Sequence, residues 1–140
     1  MRTRCSPRPW FAAAAVVSTA CCALHTIAGG HEAVRPLMAA AALDQTVRFT
    51  LYYCWHLVTI AIAWLAVAFA LAAVGRDVRT AAHATILSAT FAAWDLLMIA
   101  LHGLSPITHG QWILFLAAAA SGATGLARRR LSRTTPRRSA

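Results

Sequence analysis

The stretch AAHATILSATFAAWDLLMIAL, residues 81–101, decides how this chain is read. It contains no Lys, Arg or Glu and a single carboxylate, Asp95. About 20 apolar residues in a helix rising ~1.5 Å per residue cross the ~30 Å hydrocarbon core of a bilayer. Three further stretches have the same character, at about 10–29, 49–74 and 111–127. An Asp at the centre of a membrane helix costs ~2.5–3.5 kcal/mol on insertion scales. Such a residue is retained where it meets a partner, a cavity or water, so Asp95 is a candidate functional residue.

Composition supports this reading. Of 140 residues, 59% are hydrophobic and 12% charged, and the mean hydropathy is +0.60. That balance excludes an ordinary soluble domain. All 13 basic residues are Arg, and their placement predicts orientation through the excess of positive charge in cytoplasmic segments. Arg2, Arg4 and Arg8 precede the first span, Arg76 and Arg79 lie in the second connection, and Arg128, Arg129, Arg130, Arg133, Arg137 and Arg138 follow the fourth. In the first connection Glu32 and Asp44 offset Arg35 and Arg48, and the third carries no charge. The expected fold is therefore an all-α integral membrane four-helix bundle, up-down-up-down, with both termini cytoplasmic. The net charge of +9 is concentrated in juxtamembrane segments, which fits lipid contact and gives no nucleic-acid partner. Residues 1–127 are expected to form the transmembrane domain, and 128–140, rich in Arg, Ser, Thr and Pro, a disordered cytoplasmic tail.

The first 23 residues also resemble a secretory signal, whose cleavage would leave three spans. An uncleaved helix is the preferred reading, because the apolar run continues to Gly29 past a weak small-residue site. Cys5, Cys21, Cys22 and Cys54 form no C-x-x-C motif and no paired framework, and are expected to be small packing residues. Gly29 and Gly30 are expected to end the first helix, with 37–43 forming a short interfacial helix and Asp44 capping the second span. Pro106 and Gly110 predict a turn. The pairs Ala118/Gly122 and Ser121/Gly125, each four apart, predict close helix packing.

Helical spacing then groups the polar residues. Ser18, Cys22, His25 and Gly29 share a face of the first span, and Ser88, Asp95 and His102 share one of the third. His56 lies with Tyr52, Tyr53 and Thr59 on the second. Using the helical rise, His25 lies ~7 Å inside Gly30, Asp95 ~10 Å inside His102 and His56 ~12 Å from Arg48, all on the outward side. His25, His56, Asp95 and His102 are thus expected to form one polar layer, with His31, Glu32 and His109 above it. If Tyr52, Tyr53 and Trp55 instead form an interfacial belt, His56 is barely submerged.

Such a layer supports three chemistries. His25, His56 and Asp95 can hold a transition metal, or the two imidazoles can ligate haem. A His/Asp set can relay protons. The same groups can simply bond helices together. No HExxH, phosphate loop or nucleophile elbow is present, which weighs against an enzyme using His25 or His56 as base.

The segment HTIAGGHE (25–32), followed by Arg35-Pro36-Leu37 and Cys54-Trp55-His56, resembles a group of short, uncharacterised bacterial four-span membrane proteins. The resemblance covers about the first half of the chain and implies architecture alone. The expectation is an accessory multi-pass subunit of a bacterial inner membrane, contacting lipid and either self-associating or joining a larger complex. A purely structural membrane protein is the alternative.

Overall fold

The computed structural model describes residues 6–134, which form an all-α structure with no strand. The four long helices are α1 (Arg8–Gly29), α3 (Gln45–Ala73), α4 (Val78–His102) and α5 (Gln111–Thr134). The short α2 (Arg35–Ala39) follows α1 through a π-helical turn, Gly30–Val34.

Three segments are long and apolar enough to cross a membrane: Arg8–Ala39, Gln45–Ala73 and Val78–His102. The fourth helix, α5, combines a shorter apolar portion with the basic run from Arg128, and does not reach that standard. Its helix continues through Thr134, correcting the expectation that the tail is disordered from residue 128. Arg and Leu are good helix formers, and propagation from an existing helix avoids the cost of nucleation. The remainder of the expected tail, 135–140, and Cys5 lie outside the described residues.

The first helix also differs from expectation. Gly29 and Gly30 do not stop it: both have right-handed helical torsions, and the chain runs on through the π turn into α2. Glycine permits termination without imposing it. The short helix expected over 37–43 lies instead at Arg35–Ala39 and ends where Ala40 leaves helical torsions. The Arg48 guanidinium holds this turn, donating to the Ala40 carbonyl at 3.0 Å and the Leu43 carbonyl at 3.1 Å.

Helices α3 and α4 are each capped by an aspartate. As expected, Asp44 accepts from the Thr46 backbone N–H at 2.8 Å. Asp77 does the same for Thr80 at 3.0 Å and also receives the Thr80 hydroxyl. These hydrogen bonds hold both carboxyls below their ordinary value of 3.8. A depressed folded-state value means the caps stabilise the helices above the ordinary pH of carboxylate titration and lose that contribution as pH falls below it. Asp44→Ala and Asp77→Ala should therefore accelerate hydrogen exchange of the Thr46 and Thr80 amides at neutral pH. In the unmutated chain, lowering the pH well below 3.8 should reduce the protection factors of the same amides, taken against the exchange of unstructured peptide at each pH.

Packing inside the bundle depends on small residues. Helices pair as α1–α3, α3–α4, α4–α5 and α5–α1. The core holds Phe11, Ile62, Leu65 and Phe69 among buried alanines from α3, α4 and α5. Large apolar side chains such as Val16, Ile60, Val67, Ile86 and Leu116 are exposed around the perimeter, the distribution expected where the surroundings are hydrocarbon. Gly122 and Gly125 face Phe69 and Phe11, where an added Cβ would lie 2.8 Å and 2.7 Å from the ring atoms. The predicted close approach is therefore real, and glycine at both positions makes it.

Candidate functional site

At one end of the bundle, α1, α3 and the start of α5 surround a partly open pocket of about 240 Å³. His25 and Cys21 of α1, Glu32 of the π turn, Ile62 of α3, and Gln111 of α5 line it, together with Thr108 of the preceding loop. The walls are mixed, with Leu24 and Leu114 completing the apolar side.

The His25 ring is fixed by Trp55 of α3. The two rings stack with centroids 3.9 Å apart and planes 14° from parallel. Gly29 makes the arrangement possible, since a Cβ there would lie 2.5 Å from the Trp55 ring. Trp55, which the alternative reading places in an interfacial belt, is half-buried against α1. Its spacing of four and seven from Thr59 and Ile62 was the available signal, because Ile62 is buried in the core. One face is covered and the Trp55 backbone also interacts with the ring, while the buried Nε2 has no hydrogen-bond partner among the described residues.

Asp95 takes a related position. The buried residues of α4, Ala81, Ala84, Ser88, Ala92 and Ile99, follow three- and four-residue spacing, and Asp95 falls on the same stripe. Its Oδ2 is buried and unpartnered. It lies ~10 Å inside His102 by helical rise, the depth at which Cys21 (~12 Å inside Gly29) and Ile62 (~10 Å beyond Trp55) floor the pocket. Asp95 is not itself a lining residue.

The remaining expected residues separate from this pair. His56 is exposed, its ring set edge-on to Tyr52 at 4.5 Å, so it does not join His25 in a common layer. It follows Trp55 directly, and ~100° per residue on a helix turns it off the packed face. His102, His31 and His109 are exposed, while Glu32 is exposed at the pocket mouth. Among the described residues no three His, Cys, Asp or Glu side chains form a group able to hold a metal ion, so His25, His56 and Asp95 do not constitute the expected metal site. With His56 facing away, the paired-imidazole haem arrangement is not assembled either.

Sequence spacing also chose the wrong cysteine. Cys21, not Cys22, is the buried pocket residue; Cys22 is half-buried, its Sγ 4.0 Å from the Thr59 carbonyl, and Cys54 is exposed. Thr108 and Gln111 were not singled out, because their place at the pocket depends on how the α4–α5 connection folds back. That connection is held by Trp112, whose indole N–H donates to the Pro106 carbonyl at 3.2 Å.

Comparison with known protein families, curated proteins and solved structures gives no match.

Proposed function

We propose that the chain is a non-enzymatic, multi-pass accessory protein of a bacterial inner membrane whose pocket opens to the outer face and exchanges protons through His25. The topology in this reading is up-down-up-down, with α5 as a fourth span and both termini cytoplasmic. Two features support it. Trp55 lies against Gly29 at the pocket end, while Gly75, after α3, lies near Arg8 at the other. Arg8, Arg76, Arg79 and Arg128 to Arg130 belong to that second end, the side favoured by cytoplasmic positive charge.

The observation that carries the functional reading is the His25 edge: a ring clamped by Trp55, with an unpartnered Nε2, at a pocket that also presents Glu32. Imidazole changes charge near neutral pH, and a carboxylate at the mouth attracts protons toward it. Among the described residues no three-ligand metal group is assembled, so proton exchange is favoured over binding of a metal ion. The proposed partners are lipid and either further copies of the chain or a larger membrane complex.

The stack itself favours a second reading, in which His25 is only a plate against Trp55 that joins α1 to α3. Phenylalanine preserves a stackable ring and removes both nitrogens. In nanodiscs containing imidazole-labelled protein, the His25 resonance is identified by its loss in His25→Phe. Its chemical shift should follow the pH of the external solution. A His25 resonance that does not respond to the external pH establishes the structural reading instead.

A further inference from the structure

We infer that a hydrated polar path continues from the pocket into the bundle, past Asp95 to Ser18, and ends there against an aromatic plug. This rests on the pocket being open to water and names what enters it: water and the protons water carries.

The path is drawn by side chains that the protein leaves unpaired. Among the described residues four buried side-chain polar atoms lack a hydrogen-bond partner: Ser18 Oγ, His25 Nε2, Arg48 Nε and Asp95 Oδ2. Arg48, in the first turn of α3, is turned back onto the α2–α3 connection, but the other three lie within the bundle. Ser18 and His25 share the inward stripe of α1 with Phe11, Ala14 and Cys21, and Asp95 lies on that of α4. Measured inward from Gly29 or His102, they lie at ~6 Å for His25, ~10 Å for Asp95 and ~16 Å for Ser18. They thus descend from the pocket through progressively deeper layers.

Chance placement is a poor account of this. A buried polar group without a partner costs about 1–3 kcal/mol, more when charged, and native interiors rarely accept it without water. Ser88, equally buried on α4, shows the ordinary solution, donating to the Ala84 carbonyl of its own helix at 2.9 Å. Water bridging two or more polar groups satisfies them where a direct contact does not. Cys21 adds a weak polar group between the levels of His25 and Ser18.

Below Ser18 the interior is apolar apart from Ser88 and the half-buried Thr85, whose hydroxyls are already bonded to carbonyls of their own helix. Phe69 lies ~21 Å beyond Trp55, and Phe11 ~27 Å inside Gly29. Both rings are buried, with Gly122 and Gly125 packed against them. The path is therefore open at one end and closed at the other: it admits protons to mid-bilayer depth without conducting them across.

Thiol reactivity toward silver ion, in the full-length chain in nanodiscs, tests the path. Cys5, Cys22 and Cys54 are replaced by Ala, and Cys21 alone reports the pocket. Replacing Cys21 as well and introducing Ser18→Cys reports the end of the path, while Ala14→Cys, beside the plug, is the control. Cys21 and Ser18→Cys should react at comparable rates, and Ala14→Cys about tenfold or more slowly, as expected for a dry site. Adding Asp95→Leu should slow Ser18→Cys about tenfold while leaving Cys21 unchanged. If Cys21 reacts and Ser18→Cys is as inert as Ala14→Cys, the path is refuted while the pocket stands. If Cys21 is itself inert, both fail.

Discussion

Replacing Gly122 with Val is expected to weaken the bundle by about 3 kcal/mol or more, seen as earlier unfolding of the purified protein in a denaturant series. An added Cβ would collide with the Thr85 hydroxyl and lie 2.8 Å from Phe69 Cε1. Neither neighbour has an easy retreat. The Thr85 hydroxyl donates to the Ala81 carbonyl at 2.7 Å, and Phe69 is 0% exposed. Helix association in lipid gains little from hydrophobic transfer, because the surrounding tails are as apolar as the core, so losing close packing removes the principal attraction. Ala123→Val, the adjacent exposed position, should change stability by less than about 0.5 kcal/mol. Equal losses at 122 and 123 would show that the α5 interface lies elsewhere.

Asp95→Leu is expected to act in the opposite direction, stabilising the bundle by about 2 kcal/mol. A carboxylate maintained within a membrane interior carries an insertion penalty, and no direct hydrogen bond compensates Oδ2. If Asp95 instead binds helices together, its removal destabilises them, and the same unfolding series reveals the sign. Stabilisation on removal is the signature of a residue kept for function at the expense of stability.

Helical character was legible because it rests on local rules. Long apolar runs, Asp44 before Gln45, and small residues on α5 each specify geometry within a few positions of themselves. Convergence between helices was less legible. Three- and four-residue spacing placed Asp95 and Ser18 on inward stripes correctly, but chose Cys22 over Cys21 and gave His56 to the interior. Neighbours on a helix differ by ~100°, so a small error in locating the stripe exchanges one for the other. Trp55 was left between two roles because an aromatic near a span end satisfies two rules at once. The contact with Gly29 decides between them, and that contact belongs to a pair of helices rather than to either alone. Continuation of the first helix past Gly30 likewise depends on a π turn that no residue pattern announces.

That continuity has a mechanical consequence. From Arg8 to Ala39 the chain forms one 32-residue helical segment, ~48 Å along its axis against ~30 Å of hydrocarbon. A rod longer than its slab leans, and the lean follows the slab's thickness. Glu32 rides on the overhanging portion, whereas Gln111 begins a separate helix, so a change in lean shifts one rim of the opening relative to the other. On the proposed topology, access to the pocket is therefore expected to change with the thickness of the bilayer.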